Sequence, residues 1–412
     1  MKKAILVSVL NQTVSSGTNF LLGIYLAWTL TPADFGLYGI AFAVSLVFMG
    51  CGNSLYLTQM VFHAHSKSRE NRARYAVNIL FLNILFCAFT LTPIYLLGYL
   101  ISSLESQYLG YLNYAAAICC MAAAYLIKEF FIRHAYNEKK ELWALTIHMV
   151  LAAFLATVMG FLYLATGGVL LNQALWAYGA SLGVASLAGF LLARLPLDSL
   201  SWNALVSDHR EPMQGGWYSL ISHLIISLRT QAHTLLVTVL MGPAGLGKIN
   251  AARLLVTPAM LLMPAMTQVY QPRLVIAIRR DPESAIKRAI KFSSLMAVMA
   301  AFYAVIIAIA YKQISLHFFK SGYEGLYWIV VVWCICAVFT AFKTGQDTIL
   351  VASGMFREQA GINAWGAISS FLAVGVLTIY IGEVGAVLGL SISELVVIVL
   401  MWKIYSINKN KL

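Results

Sequence analysis

The sequence predicts an all-α polytopic membrane protein of about twelve transmembrane helices in two parallel six-helix bundles, residues 1–205 and 206–412. Three observations predict it: the composition, twelve apolar runs of spanning length, and an alternation of charge between the breaks that separate them. Of 412 residues, 60% are hydrophobic and 11% charged, against roughly 45–50% apolar and 25% charged in soluble domains. A soluble protein has no interior large enough for that much apolar surface. The same apolar content excludes disorder, and the scattered glycines and prolines exclude a collagen-like or low-complexity chain.

A membrane helix takes about 20 mostly apolar residues. In chain order the runs are 5–30, 37–62, 75–101, 111–132, 142–165 and 169–192, then 217–241, 246–270, 292–311, 326–352, 362–381 and 384–402. The first follows Met1-Lys2-Lys3 as a signal peptide would, yet no small-residue cleavage site and soluble domain come after it, so it is read as an uncleaved span. Pro93 interrupts the third run and Pro258 and Pro264 the eighth, where kinks are expected. Trp28, Trp217, Trp328 and Trp402 stand near run ends, as in an interfacial belt.

With the N-terminus inside, the inner breaks hold 21 of the 28 Lys and Arg residues. The largest groups are Lys67, Arg69, Arg72 and Arg74, and Arg273, Arg279, Arg280, Lys287, Arg288 and Lys291. The outer side keeps only Lys248, Lys312 and Lys320. This obeys the positive-inside rule, and one missed span would scramble it. The net charge of +12 is thus an insertion signal, with no nucleic-acid partner implied. Both termini are expected in the cytoplasm, and no soluble domain is expected between spans. The six cysteines lie in or beside apolar stretches without metal-ligand spacing and read as small core hydrophobes. His63 and His65 sit in a basic loop without a carboxylate or cysteine at ligand spacing; neither metal nor cofactor is expected.

Tyr25–Ala41 (YLAWTLTPADFGLYGIA) has a counterpart in Leu236–Ala252 (LVTVLMGPAGLGKINAA). Pro32, Ala33, Gly36 and Ala41 match Pro243, Ala244, Gly247 and Ala252 at an offset of 211, about half the chain. Each element joins an odd-numbered span to the next. The repeat therefore pairs spans one and two with seven and eight, and because six is even both halves insert in the same direction, a plan with a pseudo-two-fold axis along the membrane normal. Gly242 to Lys248 (GPAGLGK) also reads as most of a phosphate-binding P-loop. Ile249 stands where Ser or Thr would bind magnesium, no strand precedes it and it lies on the outer side, so it is read as a helix-connecting turn.

Ionisable groups inside spans are costly and are the first functional candidates. At 100° per residue, Ser222, Arg229 and His233 share one face of span seven. Asn250, Arg253 and Thr257 stripe span eight, and Asn11, Ser15, Thr18 and Asn19 stripe span one. Arg229 and Arg253 have no acidic residue within a turn. They are expected to present unpaired positive charge to a cavity, the alternative being an ion pair with a carboxylate such as Glu394. Lys343 and Asp347, at i, i+4 in span ten beside Gln346, form either a self-neutralised contact or part of a transport site. Glu394, alone in span twelve, is either a proton-coupling carboxylate or a hydrogen-bonded structural one. Lys128 and Glu129 near the inner end of span four are expected to snorkel.

With LTPADFGLYGIAF (Leu30–Phe42) joining the first two spans, and more loosely with KEFFIRHAYNEKKELWA (Lys128–Ala144), the chain resembles the Wzx-type polysaccharide and O-antigen flippases of the multidrug/oligosaccharidyl-lipid/polysaccharide (MOP) superfamily. The resemblance implies a MATE-like pair of bundles that moves a polyprenyl-diphosphate-linked oligosaccharide across the bacterial inner membrane by alternating access. It implies that Arg229 and Arg253 serve the anionic diphosphate, with His233, Asn250, Asn11 and Asn19 along the cavity. Guanidinium suits such a ligand because it binds phosphate bidentately. The expected partners are that lipid-linked anionic oligosaccharide, the phospholipid bilayer, and a polysaccharide polymerase and chain-length regulator. No catalytic residue is expected. The chain lacks the two extra C-terminal spans of peptidoglycan-precursor flippases, which argues against that branch. Two alternatives stand beside this reading. A MATE-like organic-cation exporter would want carboxylates at its cavity, and a membrane-embedded glycan polymerase or ligase would want a sizeable outer loop.

Overall fold

In the computed structural model, residues 2–64, 68–104, 109–200, 202–319, 322–353 and 355–407 are described; Lys67, Lys320, Lys409 and Lys411 of the charge count, and His65, lie outside them. The described residues are helical almost throughout, with no strand among them. The elements are α1 (Lys2–Thr29), α2 (Pro32–Gly52), α3 (Thr58–Ala64), α4 (Arg69–Leu104), α5 (Leu109–Asn137), α6 (Glu141–Thr166), α7 (Leu171–Ala193), α8 (Trp202–Arg280), α9 (Pro282–Phe318), α10 (Tyr327–Ala352), α11 (Phe356–Ile381) and α12 (Glu383–Ile407).

Ten stretches among the described residues are long and apolar enough to cross a membrane. Pro32–Val61 counts as one of them, because α2 continues into α3 through a π-helical turn, Asn53–Leu57. Gly215–Met263, another, is 49 residues long, more than twice the roughly 20 that one crossing takes. The 79-residue α8 leaves helical geometry at Gly242, where φ is 75° and ψ 179°, a conformation open to glycine and strained for any L side chain. Two arms, 202–241 and 243–280, therefore meet at the expected turn, with Pro243 opening the second at the first helical position, where its missing N–H is not needed. The other member of the repeat is built alike. Thr31 caps α2, its hydroxyl accepting from the Asp34 backbone N–H at 3.2 Å and donating to the Asp34 carboxylate at 2.8 Å, ahead of Pro32. The backbone stays helical through Pro93, Pro258 and Pro264.

The chain divides into two compact units, Met1–Asn19 with Ile40–Leu224, and Phe20–Gly39 with Ile225–Leu412. In the first, α5 lies against α4, α6 and α7. Small residues bring α5 and α7 together, as in membrane bundles where lipid removes the hydrophobic driving force and close packing replaces it. A Cβ at Gly189 would stand 2.6 Å from the Phe131 Cβ, and the Ser186 hydroxyl donates across to the Ala124 carbonyl at 3.2 Å. Phe130, Met121, Leu126, Tyr178 and Leu182 fill the interior.

In the second unit α10 packs on α9 and α12, and α11 on α12, with Gly389 against the Val374 backbone. This unit also holds both repeat elements, which interlock reciprocally. A Cβ at Gly36 would overlap the Pro243 carbonyl, and one at Gly247 the Pro32 carbonyl. Gly39 has no room for a Cβ beside the Asn250 amide, and 39 and 250 are themselves equivalent at the offset of 211. The two elements thus cross about a local two-fold, and glycine is required because backbone meets backbone there. Tyr323, in the α9–α10 connection, is buried within 3.5 Å of the Leu30 carbonyl. Burial, with the Asp34 carboxylate adding to it, pushes its phenol well above the usual tyrosine range.

Candidate functional site

The second unit contains a buried charged network. Arg229, 5% exposed, donates to Glu394 of α12 at 2.6 Å and to the Asn363 side-chain oxygen of α11 at 2.9 Å. Lys343 of α10 meets the other Glu394 oxygen at 2.8 Å. A Cβ at Gly366 would come within 3.0 Å of the Arg229 side chain, so the glycine leaves the passage through which the guanidinium reaches α12. Ser370 donates to the Arg229 carbonyl at 3.3 Å and ties α11 to α8 at the same level.

This corrects three expectations. Arg229 is an ion-paired arginine, as in the alternative noted above, and not an unpaired one. Lys343 pairs with Glu394, not Asp347, whose Oδ1 is buried without a hydrogen-bond partner. Glu394 is not alone. With a cation on each oxygen it is a clamp joining α8, α10 and α12. The physical reason is common to all three: the partners are 165 residues apart for Arg229 and on another helix for Lys343, beyond the reach of spacing within one span.

Arg253 behaves differently. It is exposed, and among the described residues it has no carboxylate within salt-bridge distance. Its guanidinium lies 5.6 Å from the centre of the Trp333 ring, a cation–π contact worth about 0.5–2 kcal/mol. Trp333 of α10 is fixed in turn, its indole N–H donating to the Ile249 carbonyl at 3.1 Å, one turn before Arg253. His233, 2% exposed, stands edge-on to the same indole at 5.9 Å. The result is a guanidinium held from behind by an aromatic face, with its five N–H donors committed to no acid. Asn250 belongs to the helix crossing at Gly39.

Asn11 and Asn19 are engaged within the first unit. Asn11 donates to the Tyr136 hydroxyl at 2.8 Å, and its Oδ1 lies 2.6 Å from His148 Nδ1. Asn19 accepts from the Tyr178 hydroxyl at 2.8 Å. Both therefore tie α1 to neighbouring helices of this unit. Lys128 does not snorkel: it is 2% exposed, 3.4 Å from His148 Nε2 and over the Tyr125 ring at 4.5 Å. Glu129 pairs with Arg133 at 3.1 Å. Lys248, the lysine of the P-loop look-alike, meets Glu383 of α12 at 3.4 Å.

Sequence reasoning passed over Trp333, Asn363, His148 and Tyr136. Trp333 and His148 carried a usable signal, a tryptophan and a histidine in mid-span, whereas Asn363 and Tyr136 are ordinary by position.

Among solved structures, the chain is similar to a multidrug resistance MATE family transporter of the MOP superfamily in an inward-facing conformation (TM-score 0.78, 15% identity, covering 99% of each chain). It is also similar to the lipid II flippase MurJ in an inward closed conformation (TM-score 0.77, 12% identity, covering 98% of this chain and 87% of that one). At those identities the likeness establishes the fold: all-helical, in the manner of the MOP superfamily. Among curated proteins it is 20% identical over 415 aligned positions, 98% of this chain and 97% of the relative, to the "Putative O-antigen transporter" of Escherichia coli (strain K12). The family described as "Polysaccharide biosynthesis protein" matches residues 1–277. A multi-pass membrane protein, the chain belongs to that polysaccharide biosynthesis family.

Proposed function

We propose that the protein is a flippase that carries a polyprenyl-diphosphate-linked oligosaccharide, the repeat unit of a surface polysaccharide, from the inner to the outer leaflet of the bacterial inner membrane by alternating access, with both termini cytoplasmic. The observation that carries this reading is Arg253: a solvent-accessible arginine within a helical bundle, backed by Trp333 and, among the described residues, without a carboxylate partner. An unpaired cation at membrane depth is costly unless it serves a ligand, and a diphosphate is the ligand whose oxygens match its paired donors. The relatives' names point the same way, to O-antigen transport and to a lipid II flippase. Arg229 is not assigned to the diphosphate, because its guanidinium is already engaged by Glu394 and Asn363. A polysaccharide polymerase and chain-length regulator are the partners that would consume the product.

The organic-cation exporter is disfavoured by the same network, since Glu394, the carboxylate such a carrier would need, lies between two cations. The test is Arg253→Ala at wild-type expression in cells making a surface polysaccharide. Export is expected to stop, with lipid-linked repeat units accumulating in the inner leaflet, and Arg253→Lys to restore it only in part because an ammonium lacks the bidentate fork. Normal export by Arg253→Ala would overturn the assignment.

A further inference from the structure

The first unit holds a buried cation that the proposed function does not use. Lys128, His148 and Asn11 are 2%, 5% and 5% exposed and come from α5, α6 and α1. An ammonium has N–H donors and no acceptor, so its 3.4 Å contact with His148 Nε2 requires that nitrogen to accept. The proton of the neutral ring then sits on Nδ1, directed at Asn11 Oδ1 2.6 Å away, and the Asn11 amide donates onward to Tyr136. The bonds therefore have one direction, Lys128 to His148 to Asn11 to Tyr136, and one tautomer.

The titratable and charged groups around the pair are few. On α5 they are Tyr125 under the ammonium, Glu129 held by Arg133, and Tyr136 beyond Asn11; α7 contributes Tyr178, bonded to Asn19 of α1. Among the described residues no carboxylate lies within ion-pair distance of the Lys128 ammonium, unlike Lys343 in the second unit, which has Glu394. The lone pair that meets the Lys128 ammonium, among the described residues, is the one on which an imidazole takes up a proton.

We propose that His148 Nε2 is a proton-binding site at which a solvent proton and the Lys128 ammonium exclude one another. A proton arriving at Nε2 makes the ring an imidazolium with N–H on both nitrogens, so the ammonium loses its acceptor and must leave. The Nδ1–H bond to Asn11 remains and becomes charge-assisted, hence stronger. The imidazole thus transfers its hold from α5 to α1, the helix whose first part belongs to one compact unit and whose second part to the other. When the proton departs to solution, the lysine returns. The exchange keeps one positive charge at the site and supplies the proposed transport cycle with a coupling proton, a step that rests on the flippase reading; the proton site itself does not.

The experiment has two arms. In the first, the full-length protein in proteoliposomes is labelled with 15N-histidine, and protonation of Nε2 is followed by solid-state NMR against pH, with His148→Gln identifying the signal among the eight histidines. Lys128→Met is expected to move the midpoint of Nε2 protonation upward by at least about one pH unit, a tenfold gain in proton affinity, while Glu129→Gln leaves the mutual exclusion in place. In the second, uptake of a lipid-linked oligosaccharide is measured with and without an imposed pH gradient. Wild type and Glu129→Gln are expected to respond to the gradient and His148→Gln to lose the response. Coincident midpoints in wild type and Lys128→Met, or a retained gradient response in His148→Gln, would overturn the inference. Wild-type protein that flips nothing under any gradient sinks the flippase reading instead, and the NMR arm still decides the proton site.

Discussion

Replacing Glu394 by Gln keeps the shape of the side chain and removes the charge that two buried cations share. Arg229 and Lys343, at 5% and 12% side-chain exposure, would then face each other across α8, α10 and α12 with nothing between them but an amide. Breaking a buried ion pair by removing one partner costs about 3–5 kcal/mol, because the remaining charge stays desolvated. For a cooperative unit of about 200 residues, each kcal/mol moves the melting midpoint by about 2–4 °C, so Glu394→Gln is expected to lower it by roughly 6–20 °C. The midpoint is read by fluorescence-detected size-exclusion chromatography after heating the detergent-solubilised protein. A second variant isolates the cause: removing all four charged groups in Arg229→Met/Lys343→Met/Asp347→Leu/Glu394→Met leaves no orphan, and apolar replacement of buried ion groups is often neutral or stabilising, so most of the loss is expected to be recovered. A single variant that melts within about 2 °C of wild type, or a quadruple variant no more stable than the single, would refute the clamp.

Gly36→Ala and Gly247→Ala should each destabilise by about 1–3 kcal/mol or more, because each new Cβ meets the partner element's proline carbonyl, whereas Gly160→Ala in α6, with nothing within 4 Å, should gain about 0.5–1 kcal/mol from helix propensity; melting midpoints moving in opposite directions check this. Lys248→Ala removes only the half-exposed contact to Glu383, 35% and 26% exposed, and should change stability by less than about 1 kcal/mol, with neither nucleotide binding nor hydrolysis altered in a direct assay.

The arrangement of helices was legible at the level of single segments. Each of the twelve runs falls, to within two residues, inside a helix, a helix arm or, for 37–62, the continuous α2–α3 stretch, because spanning length and hydropathy are local quantities that the bilayer imposes on every segment separately. The turn at Gly242 and Pro243 was legible for the same reason, glycine and proline constraining their own backbone. The match of Pro32 and Gly36 with Pro243 and Gly247 foretold two similar elements, and the structure adds that they touch. Equivalent glycines facing each other follow from a two-fold, which no single element contains.

The candidate site was legible only in part. Polar stripes singled out Arg229 and Arg253 as alike, since a helical wheel sees what shares a face and not what lies opposite. Tertiary packing separated them: Gly366 opens the way for Arg229 to Glu394, while Arg253 meets the face of Trp333 and no acid. The same blindness hid Lys128, whose position near a span end suggested a snorkelling side chain until α6 placed His148 against it. The sequence by itself determined the apolar segments and the repeat, because those depend on apolar length and backbone constraint within one stretch of chain. Only the tertiary structure decided which of these cations meets a carboxylate and which, among the described residues, does not, because a charge in a medium of low dielectric is governed by whatever lies within a few ångströms of it, and for these residues that neighbour comes from a distant helix.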